Sequence, residues 1–220
     1  MKVLDQFGIV ANNPKLYDMA FMHRSYGVKH KINYDYERLE FLGDAVLSML
    51  VSEYLYDKYA DIGEGSLTKL RSNFVCENAL ANYSHELGLT KMIKLNLDEK
   101  KVSVNEIFSI SADVFESLLG AIYLDQGFEV TYNFLSRTVF PAIDEEIVFF
   151  TDFKSKIKEY GDANELLVEY GLIEEKGAPH DKTFIMAIFV DGKELARGIG
   201  KNKKEAEQIA AQKAIKKFGI

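Results

Sequence analysis

The sequence predicts an all-α domain over residues 1–147, followed by a small α+β domain of order α-β-β-β-α over residues 152–220. Three observations carry this. Up to about residue 150 apolar residues recur at three- and four-residue steps, and strand-like alternation is scarce. Beyond residue 151 three β-like runs follow one another, two of them joined by Asp191-Gly192, a strong two-residue hairpin signal. Charge divides at the same place. Residues 152–220 hold 13 Lys+Arg against 12 Asp+Glu, which leaves 14 of the chain's 27 basic and 22 of its 34 acidic residues in the first 151.

In the first domain the spacing gives seven to nine helices. Leu39, Leu42, Val46 and Leu50 mark one helix, and Leu118 and Ile122 another. Breaks fall at Asn12-Asn13-Pro14, at Ile62-Gly63-Glu64-Gly65 and at Gly127. Ser66 is placed to cap a helix running through Arg71 to Ala79. The second domain starts with an amphipathic helix over 153–160, then strands over 167–175, 183–190 and 193–200. In the last helix Asn202 and Glu205 have capping-box spacing, and Ala206, Ala210, Ala214 and Phe218 form a stripe able to sit close to a sheet.

Composition bounds the function. With 47% hydrophobic and 28% charged residues the chain is globular. One cysteine, Cys76, excludes an intrachain disulfide, a CxxC pair and an all-cysteine zinc site. The N-terminus lacks the apolar stretch of a signal peptide, and no run approaches the length of a membrane span. A soluble, cytoplasmic protein with no membrane partner is expected. No GxxxxGK[ST], HExxH or GxSxG motif occurs, which argues against an ATPase or other nucleotide-cofactor enzyme, a zincin and a serine hydrolase.

The informative segment is ERLEFLGDA at 37–45. On a helix Glu37, Glu40 and Asp44 share an arc of about 60°, while Leu39, Leu42, Ala45 and Val46 fill most of the rest. Like charges at this spacing destabilise a helix, and buried carboxylates are costly unless paired or metal-bound. Gly43 weakens the helix further, and its small size leaves room for something close to the backbone. In ADVFES at 112–117, Asp113 and Glu116 again share one face amid apolar residues. One acidic stripe is ordinarily a solvated face. Two such helices packed together would converge Glu40, Asp44, Asp113 and Glu116. An arginine-neutralised structural cluster is the alternative, although Arg38 lies off the stripe. Oxygen-only ligands favour Mg²⁺ or Mn²⁺ over zinc, and phosphodiester hydrolysis suits a carboxylate-held Mg²⁺ best.

These residues resemble the signature of the bacterial ribonuclease III family. ERLEFLGDA is backed in order by His23-Arg24-Ser25-Tyr26, Gly63-Glu64-Gly65-Ser66-Leu67-Thr68, Arg71-Ser72, Asn78-Ala79-Leu80-Ala81 and ADVFES. Lys176-Gly177-Ala178-Pro179-His180 and GIGKNKKEAEQIAAQKA at 198–214 resemble a double-stranded-RNA-binding domain, so the likeness covers nearly the whole chain. It implies a ribonuclease III type helical fold and an endonuclease that cuts double-stranded RNA, leaving 5′-phosphate and 3′-hydroxyl ends. Precursors of ribosomal RNA and structured messenger RNAs are the implied substrates. It implies a homodimer with Phe41 plugging into the partner subunit. It assigns metal binding to Glu40, Asp113 and Glu116, catalysis to Asp44 and Glu116, and supporting roles to Glu37 and to Glu64 in a loop before the next helix. The chain departs from the family at Met22, where threonine is usual, and at Tyr36, where a small polar residue is usual. The stretch 161–170 lacks the common proline-containing loop.

In the second domain Lys201, Lys203 and Lys204 surround the start of the last helix, where backbone N–H groups already favour phosphate. Pro179 and His180 would enter a minor groove of the duplex, whose A-form shape rather than sequence is read.

Overall fold

The computed structural model describes residues 2–96, 103–149, 152–177 and 182–219. The chain forms two compact units, Met1–Phe150 and Thr151–Ile220.

The first unit is helical, as predicted. Its helices are α1 (Lys2–Asp5), α2 (Pro14–Ala20), α3 (Arg24–His30), α4 (Glu37–Lys58), α5 (Glu64–Phe74), α6 (Glu77–Glu86), α7 (Val104–Gln126), α8 (Phe128–Ser136) and α9 (Phe140–Asp144), with a 3₁₀ turn at Leu89–Met92. Helix α7 is the centre. Val114, Phe115, Leu118, Leu119, Ala121 and Ile122 are all fully buried. Its length and apolar content would also suit a membrane span, but here the apolar faces are covered by neighbouring helices. Helix α4 presents Leu47, Leu50, Val51 and Leu55 to the same core.

Two helix boundaries differ from the sequence expectation. Helix α5 starts at Glu64 with Gly63 as an extended N-cap, so Ser66 lies inside the first turn and caps nothing. The helix also stops at Phe74 and restarts at Glu77. There the Cys76 thiol turns back onto the Asn73 carbonyl, and the Asn73 side chain is committed elsewhere, accepting from the Phe149 N–H and donating to the Ile147 carbonyl. Long-range bonds of this kind leave no mark in local periodicity.

The second unit has the predicted order. Helix α10 (Phe153–Ala163) precedes β1 (Val168–Lys176), β2 (Thr183–Val190), β3 (Lys193–Gly200) and α11 (Lys203–Phe218). The strands form an antiparallel sheet of order β1-β2-β3, with Val168 opposite Val190 and Ile185 opposite Ile199. Asp191 and Gly192 both take positive φ, the geometry of the tight hairpin turn. Asp191 also accepts from the Leu167 N–H through its carboxylate. Helix α10 runs three residues beyond the expected end and closes where Gly161 approaches Val168, at a distance that leaves no room for a Cβ. Ile157, Ile188, Ala210, Ala211 and Ala214 form the core.

Candidate active site

The site is built at the crossing of α4 and α7. A Cβ on Gly43 would lie 1.8 Å from the Glu116 carbonyl oxygen, and one on Gly120 would lie 2.3 Å from that of Leu39. Each glycine therefore lets the other helix's backbone in. The neighbour that Gly43 makes room for is α7 itself. Buried Ser117 donates to the Ala20 carbonyl at 2.6 Å and ties α7 to the end of α2. The crossing brings Glu40 and Asp44 on α4 to Asp113 and Glu116 on α7, and each of the other three raises the pKa of Glu116.

Burial is the largest cause for Glu116, and together these effects push its carboxyl up to about 8. Glu40 is pushed up to about 7, first by burial, then by Asp113, Glu37, Asp35 and Asp44. Asp113 is raised by burial and by Glu77, while a hydrogen bond from Tyr36 and the nearby His23 pull it down. Glu37 is exposed, 3.9 Å from Arg24, and acts on Glu40 from the edge. Arg24 is itself largely exposed, so the half-buried Glu40, Asp113 and Glu116 are not neutralised by that pair.

Several contributors were not legible in the sequence. The Tyr36 hydroxyl donates to Asp113 Oδ2 at 3.0 Å across 77 positions of sequence. Asp35 accepts from the Glu37 N–H at 3.1 Å, just ahead of α4. Glu77, at the start of α6, faces Asp113. His23 caps α3, its Nδ1 accepting from the Ser25 N–H, and its ring lies 5.8 Å from that of Tyr36. Of these, the sequence pointed only to His23, through the His23-Arg24-Ser25-Tyr26 run, and to Tyr36, through its position directly before the acidic helix.

Glu64 lies on a different helix. It is the first residue of α5 rather than a loop residue, accepts from Thr68 Oγ1 and lines a cavity of about 450 Å³ with Ser52 and Arg71. Phe41 is 81% exposed. With Ala45, Met49 and Tyr56 it forms an exposed stripe along α4 within an arc of about 80°.

Among the described residues no three Asp, Glu, His or Cys side chains already meet at one ligand point. The donor set still fits a hard divalent cation. It is all oxygen, partly buried, and held in mutual repulsion that such a cation relieves.

In the second unit Lys201, Lys203 and Lys204 are exposed at the start of α11. Asn202 Oδ1 accepts from the Glu205 N–H at 2.9 Å, and Glu205 Oε2 accepts from the Lys201 N–H at 2.7 Å. The capping box is thus present, with its return arm one residue earlier than usual. The box occupies the N–H groups of Lys201 and Glu205 and leaves the three ammonium groups in solvent. Pro179 and His180 lie outside the described residues.

A family profile described as Ribonuclease-III-like matches residues 13–143, and one for the double-stranded RNA binding motif matches residues 153–218. The chain belongs to the ribonuclease III family. Ribonuclease 3 of Geobacillus sp. (strain WCH70) is 43% identical over 217 residues, which is 97% of this chain and 88% of that protein. Ribonuclease 3 of Anoxybacillus flavithermus is 42% identical over 219 residues, 97% of this chain and 92% of that one. The nuclease domain of ribonuclease III from Campylobacter jejuni, in a structure described for flexibility in a region involved in dimer formation, superposes with a TM-score of 0.58 at 36% identity. It covers 64% of this chain and 95% of its own. This ribonuclease III is accordingly an endoribonuclease acting on double-stranded RNA, from a family of metal-dependent nucleases.

Proposed function

We propose that this ribonuclease III hydrolyses duplex RNA with Mg²⁺, for which Mn²⁺ substitutes, leaving 5′-phosphate and 3′-hydroxyl ends. Ribosomal RNA precursors and structured messenger RNAs in the cytoplasm are its proposed substrates. The observation that carries the reading is the convergence of four acids from two helices at a glycine-mediated crossing. Glu40, Asp113 and Glu116 would hold the cation, which when bound neutralises charge on phosphate oxygens and makes water acidic. Asp44 and Glu116 orient the attacking water and accept its proton. The crossing holds together the two backbones that carry the four acids, which favours a site formed before substrate arrives.

The proposed assembly is a homodimer. The exposed side chains of Phe41, Ala45, Met49 and Tyr56 on one face of α4 support it, because large apolar groups aligned on one face favour burial against a partner. The second unit holds the duplex through Lys201, Lys203 and Lys204, with Pro179 and His180 proposed for a minor groove. Cleavage of a long perfect duplex with Mg²⁺, alongside a gel shift, tests the reading. Glu116→Gln should lower kcat by about 100-fold or more while retaining duplex binding. Binding without cutting by the wild type, with either cation, would overturn it.

A further inference from the structure

Tyr36 is a departure from the family pattern that the reading above leaves without a task. Its side chain is 4% exposed. Its carbonyl accepts the N–H groups of Leu39 at 2.8 Å and Glu40 at 2.9 Å, which makes it the N-cap of α4. Its own N–H donates to the Met22 carbonyl at 3.0 Å. Met22, the other departure in this region, is 1% exposed and pairs with Lys94 in an isolated bridge. The Phe21–His23 segment is clamped there by bonds from the Lys94 N–H to the Phe21 carbonyl and from the His23 N–H to the Lys94 carbonyl. The backbone of Tyr36 is therefore fixed on both sides, and its hydroxyl reaches α7, donating to Asp113 Oδ2 at 3.0 Å.

We propose that Tyr36 is a positioning residue, whose hydroxyl pins one oxygen of Asp113 and turns the other toward the cation site. The inference rests on the reading of Asp113 as a cation ligand. An Asp carboxylate rotates broadly about its last torsion. A donor held by the same turn that starts α4 removes that freedom, and it registers Asp113 against Glu40, which lies one turn into α4. Partners of this kind orient metal-ligating carboxylates, and losing one costs about 10-fold or more in metal affinity.

The test is Mn²⁺ binding to the full chain without RNA, read by electron paramagnetic resonance of the free ion. It compares wild type, Tyr36→Phe, Asp113→Ala and the double variant. Phe removes one hydroxyl and keeps the ring in its contact with His23. Tyr36→Phe should weaken Mn²⁺ by about 10-fold in the wild-type background and add nothing to Asp113→Ala. In RNA cleavage at fixed Mg²⁺, kcat should fall while KM for the duplex stays unchanged. An equal effect of Tyr36→Phe in both backgrounds would mean general loosening of the fold and overturn the proposal. Wild-type affinity in Tyr36→Phe, with Asp113→Ala weakened, would overturn it while leaving the site reading intact. Unchanged affinity in Asp113→Ala would remove Asp113 from the ligand set, and the proposal with it.

Discussion

Both units of this ribonuclease III are locked by the same device, glycine against backbone, yet the device serves opposite electrostatic ends. In the first, Gly43 and Gly120 let α4 and α7 touch, and the contact forces carboxylates together where they raise one another's pKa. In the second, a Cβ on Gly198 would lie 1.9 Å from the Ala206 carbonyl oxygen, so β3 and α11 touch as closely. There the contact holds a satisfied helix cap with its lysines in solvent. Close packing thus holds one unit in an unfavourable charge arrangement, while in the other it displays charges that cost little. Chemistry needs the first kind of site and grip on a polyanion needs only the second.

The two contacts are most vulnerable at their glycines. Gly43→Ala and Gly198→Ala should each cost about 3 kcal/mol, because the added Cβ meets backbone that cannot rotate away. Hydrogen exchange should show the loss confined to the first unit for Gly43→Ala and to the second for Gly198→Ala. Cleavage should be lost in the former with duplex binding retained. Unchanged protection in either variant would mean that the helices are not held as closely as described.

Replacing Lys201, Lys203 and Lys204 together by Ala sharpens the charge side. Duplex KM should rise by about 10-fold at moderate salt with kcat unchanged. The slope of log affinity against log salt should become shallower by about three. A kcat effect of similar size would show that the lysines do more than grip. The smallest expected effect is that of Asn202→Ala, which removes the α11 cap and should cost the second unit about 1 kcal/mol without touching the first. Urea unfolding followed by exchange of second-unit amides checks it.

What the sequence made legible was local. The acidic stripe on α4, the Asp113/Glu116 pair, the Asp191-Gly192 hairpin and the Asn202 cap each span a few residues, and the structure contains all of them. The break at Val75 and Cys76 was not legible, because bonds from Asn73 to Ile147 and Phe149 dictate it. Nor were the helical start at Glu64, the reach of Tyr36 to Asp113, or the identity of Gly43's neighbour. Each depends on a segment far away in sequence. The candidate site was legible as a set of acids and illegible as a supported one, since its supports come from the 21–36 segment.

The crossing holds carboxylates in a repulsion that a bound divalent cation would relieve. Glu116 bears on it most directly. With its folded pKa raised from 4.5 to about 8, the folded protein binds more protons than the unfolded chain throughout that window. Stability of the cation-free protein therefore falls as pH rises through the window, and the penalty is complete above it. Thermal melting of wild type and Glu116→Gln, without divalent cation and then with Mg²⁺, is the measurement. The variant should melt about 3–6 °C higher near pH 8 and equal to wild type at about pH 5, and Mg²⁺ should raise wild type more than the variant. A Glu116→Gln protein no more stable than wild type near pH 8 would contradict the account.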